Sequence, residues 1–178
     1  MFLVKKMRII SGKYKGKSLK EYNIKGTRPT MDRIKESVFG MIQTKLNESI
    51  CLDLFCGSGS LGIEALSNGA KKCYFVDKNK KVIEILKKNT QDINNVYLIN
   101  KDYKEALKNF KEKFDIIFLD PPYDDFLIND AINLIEKYDL LNPKGLIICE
   151  YTKENVTSNY ELYKEKKYGD KHIKIFQK

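Results

Sequence analysis

A mostly parallel α/β sheet of seven strands is predicted for this chain of 178 residues on three observations. Short apolar runs alternate with helical patterns through its middle, a glycine-rich turn separates the first run from the helix after it, and the tail alternates like an antiparallel hairpin.

The elements follow in order. At the start, "RIIS" and "KSL" read as short strands of a small basic hairpin, and residues 1–27 as an extension of a single domain, 1–178. The acid-free stretch up to Lys20 would also suit a transit peptide, and Met7 is an alternative start. Next, "IKGTRPTMDRIKESVFGMIQTKL" sets Ile34, Val38, Met41 and Ile42 at helical spacing, with Thr30 the expected N-cap and Lys35 and Glu36 on a solvated face. Apolar runs then lie near 49–55, 72–76, 96–99, 114–119 and 146–150, with helical patterns near 60–68, 79–89, 103–110 and 129–137 between them. Strands joined through helices run parallel and are covered on both faces. The tail "YELYKEKKYGDKHIKIFQK" turns at Gly169-Asp170 and supplies the last two strands.

Composition bounds the function. With 42% hydrophobic and 11% aromatic residues the chain can bury one good core, and no apolar run approaches the roughly 20 residues of a membrane span. "MFLVKK" is too short for a signal-peptide core, so a cytoplasmic protein is expected, with no membrane partner. Cys51, Cys56, Cys73 and Cys149 form no Cys-x-x-Cys pair and there is one histidine, His172, which reads as structural; no metal is expected. Lys+Arg of 33 against Asp+Glu of 24 gives +9, which suits a polyanionic partner, although lysines scattered on helix faces account for part of it.

Three signals fall at the carboxyl ends of the predicted strands, where open α/β sheets bind ligands. In "LDLFCGSGSLGIEAL", Gly57, Gly59 and Gly62 match G-x-G-x-x-G between a strand and a helix, a nucleotide-binding context. Asp77, which ends the next strand, can accept both hydroxyls of a ribose, and Asp102 is placed to bond an adenine edge. A nicotinamide dinucleotide would use the same glycines, but the charge of Asp53 just before them would oppose a pyrophosphate and suit an ammonium. Glycines and acids together look like the S-adenosylmethionine site of a class I methyltransferase, with Phe55, Lys78 and Tyr103 beside those acids as further candidates; taken singly, each acid could equally be a cap or turn residue.

The third signal is "FLDPPY". Prolines give no backbone donor and hold Asp120, Pro121, Pro122 and Tyr123 extended, so the segment offers carbonyls, a carboxylate and an aromatic face. An exocyclic base amine needs those groups: Asp120 and the Pro121 carbonyl can accept its two N–H bonds, which helps the nitrogen become tetrahedral, while Tyr123 stacks on the base.

In order and spacing, "MRIISGKYKGKSL", "TRPTMDRIKESVFGMI", "LDLFCGSGSLGIEALSNGA" and "FLDPPY" resemble the RsmD family of bacterial 16S ribosomal RNA guanine-N2 methyltransferases. The resemblance covers almost the whole chain and implies a Rossmann-like class I methyltransferase fold, S-adenosylmethionine as cofactor, and a guanine N2 in 16S rRNA of an assembled or assembling small subunit as acceptor. It also implies that the segment from Arg28 to Glu36 sits over the donor pocket, with Arg28 and Thr30 toward the donor and Arg28 and Arg33 available to phosphate or carboxylate. Arg8, Lys13, Lys15 and Lys17 become candidates for rRNA phosphates; the hairpin has lysines where the family pattern has more arginine and a tryptophan. A monomer is expected. The rival readings are a DNA or RNA adenine-N6 methyltransferase and a non-catalytic RNA-binding assembly factor.

Overall fold

The computed structural model describes residues 7–22, 29–122 and 126–178. Seven strands form one sheet: β1 (Ile50–Asp53), β2 (Lys72–Val76), β3 (Val96–Ile99), β4 (Phe114–Leu119), β5 (Leu141–Tyr151), β6 (Glu161–Tyr168) and β7 (Lys171–Gln177). Their order is β3-β2-β1-β4-β5-β7-β6, with the first five parallel and β7 antiparallel to both of its neighbours. Five helices connect or precede them: α1 (Pro29–Leu46), α2 (Ser60–Ser67), α3 (Lys80–Thr90), α4 (Tyr103–Asn109) and α5 (Ile128–Lys137).

The strand residues are apolar on both sides, and two cores result. One face of the sheet packs Phe75, Phe118 and Ile148 against Ile34 and Val38 of α1, Ile63 of α2 and Leu86 of α3. The other packs Leu52, Ile117 and Ile147 against Leu107 of α4 and Ile132 and Ile135 of α5. All four cysteines are free and buried.

Three details differ from the expectations. Helix α1 begins at Pro29, whose fixed φ suits a first helical turn, so Thr30 lies inside the helix and does not cap it. Strand β5 starts at Leu141 instead of 146; it absorbs Pro143 where its register with β4 shifts between Phe114 and Ile116, because a proline fits a sheet only where ladder bonds are interrupted. The N-terminal hairpin is a loop closed by one bridge, Arg8 to Ser18, with Ile9 N–H donating to Lys17 O at 2.9 Å.

That loop is pinned by charge. Glu64 of α2, fully buried, accepts from the Ser11 N–H at 2.9 Å and from the Ile10 N–H at 3.1 Å, and pairs with the Lys35 ammonium at 3.1 Å. Lys35 also donates to the Arg8 carbonyl at 2.6 Å and to Ser60 Oγ at 2.9 Å. Lys35 is therefore a 5% exposed tie between α1, α2 and the loop, not the solvated residue expected. The loop approaches α2 so closely that a Cβ on Gly12 would lie 2.0 Å from the Ser67 carbonyl oxygen. Asn89 of α3 holds its far end, accepting from the Lys20 N–H at 2.8 Å.

Candidate active site

Strand order reverses between β1 and β4, so the crevice at their carboxyl ends is the switch point of the sheet. A cleft of ≈ 1580 Å³ opens there, walled by α1, the glycine loop and the ends of β1, β2, β4 and β5.

Asp53 ends β1 at its base. It is 1% exposed and accepts from the Gly62 N–H at 3.0 Å. Burial pushes its carboxyl up to about 7; the Gly62 bond opposes this and the nearby charge of Asp77 adds to it. Gly57 and Gly59 both have positive φ, 50° and 83°. No atom lies within 4 Å of where a Gly57 Cβ would stand, so the backbone is bare to the cleft; at Gly62 a Cβ would meet the Phe75 ring at 2.3 Å, so that glycine serves the packing of α2 on β2. Asp77 accepts from the Gly57 N–H at 3.3 Å and the Asn79 N–H at 2.8 Å, which clamps the loop.

Asp102 lines the cleft, but its Oδ1 caps α4 by accepting from the Lys104 N–H at 2.9 Å, so the cap reading of this acid is realised. Phe55 and Tyr103 pack ring against ring at 5.2 Å on the same wall, and Lys78 joins them. Thus Asp53, Phe55, Gly57, Asp77, Lys78, Asp102 and Tyr103 converge on one cleft. Gly59 lies behind it as the N-cap of α2.

Across the switch point, Asp120 follows β4, half-buried, with Pro121 and Pro122 after it. The register Leu119 to Cys149 sets Asp120 beside Glu150 of β5, and Glu150 Oε1 accepts from Lys171 Nζ at 2.7 Å. Burial holds the Asp120 carboxyl well above the usual carboxylate range; Glu150 and Asp53 add to this and Lys171 opposes it. Tyr123 and Arg28 lie outside the described residues, as do the side-chain surroundings of Thr30.

The basic candidates divide. Arg8, Lys13, Lys15 and Arg33 are exposed; Arg8 pairs with Asp32 at 3.5 Å and Arg33 stands at the cleft wall. Lys17 is committed to Asp92 at 2.6 Å and is a poorer phosphate ligand than expected. His172 stacks on Tyr151 at 5.3 Å, in keeping with a structural role. Among the described residues no cluster of His, Cys, Asp or Glu could hold a metal, and no helix is long and apolar enough to cross a membrane.

Sequence reasoning set Lys35 on a solvated face and did not single out Glu64, Glu150 or Lys171. Lys35 and Glu64 stand among the apolar positions of their helices, next to Ile34 and Ile63, which was a legible sign that each needed a buried partner. Nothing local distinguishes Glu150, at a strand end, or Lys171, at a turn; only the pairing of β5 with β7 brings them together.

Comparison with known proteins agrees with this architecture. Residues 7–177 match the family described as conserved hypothetical protein 95. A ribosomal RNA small subunit methyltransferase D of Haemophilus influenzae is 39% identical over 96% of this chain and 93% of its own length. A putative rRNA methyltransferase of Bacillus subtilis is 37% identical over 97% of this chain and 99% of its own. Among solved structures, a putative methyltransferase from Escherichia coli superposes with a TM-score of 0.86 at 32% identity, covering 97% of this chain and 98% of that one.

Proposed function

Since the chain belongs to the conserved hypothetical protein 95 or RsmD family, we propose that it transfers a methyl group from S-adenosylmethionine to the exocyclic N2 of a guanine in the 16S rRNA of the small ribosomal subunit. The observation that carries the reading is the placement of Asp120 and Pro121, at the end of β4, in the same cleft as Asp53 and the glycine loop at the end of β1.

The residues present fit the donor. Asp53 gives the base of the cleft a buried acid for an ammonium, the bare backbone at Gly57 admits close approach, Asp77 is in place for ribose hydroxyls, and Phe55 and Tyr103 form an apolar wall for a purine. S-adenosylmethionine supplies an electrophilic methyl group. On the acceptor side, Asp120 and the Pro121 carbonyl take the two N–H bonds of the amine, drawing its lone pair out of the ring system and aligning it for in-line attack. The amine becomes acidic as the bond forms, and its proton passes to Asp120 or to water. Positioning carries the catalysis.

The direct test is purified protein with labelled donor and small-subunit particles, followed by nucleoside mass spectrometry. N2-methylguanosine is expected, with duplex DNA unlabelled because its bases are stacked away. N6-methyladenine, or no turnover, would overturn the reading in favour of the adenine enzyme or the assembly factor. Asp77→Ala should weaken donor binding by about 1–3 kcal/mol, the scale of lost hydrogen bonds to a charged group, and calorimetry should detect no binding of NAD.

The exposed basic residues of the N-terminal loop are proposed to grip rRNA phosphates. Lys13→Ala and Lys15→Ala should each lower the salt slope of RNA binding by roughly 0.7–0.9, whereas Lys17→Ala should change it less because that ammonium already has a carboxylate partner. Equal slopes in wild type and the Lys13/Lys15 double variant would return those lysines to an ordinary solvated surface.

A further inference from the structure

Asp120, the residue after β4, lies beside Glu150 of the adjacent parallel strand β5, strands in a sheet running about 5 Å apart, and both line the cleft. Two carboxylates so placed repel one another, and the Lys171 ammonium at Glu150 offsets part of that charge. The side chains of this ion pair are only 10% exposed at Lys171 and 17% at Glu150, so it is built into the wall and is not a loose surface contact. The two acids also line a small recess of ≈ 30 Å³ with Pro122, Tyr151 and Phe126, and Phe126 is 57% exposed, an aromatic face outside both cores. An aromatic platform next to two adjacent acceptors fits a base edge that carries two adjacent donors.

We propose that Glu150, oriented by Lys171, accepts the N1–H of the target base and thereby selects guanine. The inference rests on the guanine-N2 reading above and assigns a role that reading does not need. In guanine the N1–H is the immediate neighbour of the 2-amine, so when Asp120 and the Pro121 carbonyl hold the amine, Glu150 is the next acceptor along the edge. One Glu150 oxygen accepts from Lys171, and a carboxylate has capacity for several bonds, so the anchor and the base do not compete. A purine whose N1 is an acceptor would turn a lone pair toward a carboxylate in a partly dry recess. Such a base is rejected because neither group finds a partner.

The test compares guanine with 2-aminopurine at the target position, mapped first by mass spectrometry, in reconstituted small-subunit particles. Both bases carry the 2-amine that is methylated, and only guanine has the N1–H. Wild type should prefer guanine in kcat/KM by at least about 10²-fold. Glu150→Gln, whose amide can donate to an unprotonated N1, should narrow that preference to under about tenfold, with donor affinity and melting temperature retained as evidence of an intact fold. Should the amide disturb the strand pair, Glu150→Ala gives the same readout by removing the acceptor. A wild-type preference below tenfold, or a variant that discriminates as well as wild type, overturns the role of Glu150 while N2 methylation of guanine by wild type still stands. Failure of wild type to methylate guanine at N2 instead overturns the underlying reading.

Discussion

Asp120→Ala should lower turnover by about two or more decades while S-adenosylmethionine binds nearly as in wild type, because one acceptor of the transition state is lost and no donor contact is. The separation of the two effects follows from position. Asp120 stands after β4, across the switch point from the glycine loop, and its electrostatic neighbours are Glu150, Lys171 and Asp53. Asp120→Asn keeps one carbonyl acceptor and should fall between wild type and the alanine variant. The pH profile gives an independent check. Burial and Glu150 raise the Asp120 carboxyl, and only its ionised form accepts two ways, so wild-type turnover should climb with pH through a window above the ordinary carboxylate range. That limb should vanish in Asp120→Asn. Equal loss of donor affinity and turnover in the alanine variant would move Asp120 into the donor site or the fold.

Lys35→Met should destabilise the protein by about 3–5 kcal/mol, measured by denaturant unfolding, since it leaves the buried Glu64 carboxylate without its countercharge. Glu64 would still hold the Ile10 and Ser11 amides, but no cation would offset its burial. Lys35→Met combined with Glu64→Gln removes both charges and should recover much of the loss. If the single variant unfolds like wild type, the Lys35 countercharge contributes little and the N-terminal loop is held by Ile9 and Leu19 and by its bonds to Ser67, Asn68 and Asn89.

Most of the architecture was legible because it rests on local pattern. Five apolar runs and the helices between them appear as β1 to β5 and α2 to α5, and the alternation around Gly169 appears as β6 and β7. Gly57, Asp53, Asp77 and Asp102 gather on one cleft because each lies at or shortly beyond the carboxyl end of a parallel strand. What sequence could not show is pairing at long range. The loss of Lys17 to Asp92 depends on where the N-terminal loop docks, which no local periodicity encodes, and the place of Lys35 beside Ile34 signalled burial without showing that Glu64 was its partner. The start of α1 was missed for a different reason: Thr30 is a good cap, yet Pro29 is a better first residue of a helix.

The docking of that loop also orders events during synthesis. Its partners, Glu64, Ser67, Asn68, Asn89 and Asp92, lie on α2, α3 and the turn after it, up to 75 residues further along the chain. Residues 8–20 therefore cannot settle until the chain has emerged through Asp92 and the early helices have formed, so loop closure and not local propensity governs when they dock. Between Met7 and Lys20 there is no acid and there are four lysines and one arginine, so the waiting segment stays solvated and repels its own copies on neighbouring nascent chains. A stretch that ends as a fixed brace thus begins as a charged tether, and of the lysines that keep it dissolved Lys13, Lys15 and Lys20 are left on the surface once it has docked, while Lys17 finds Asp92.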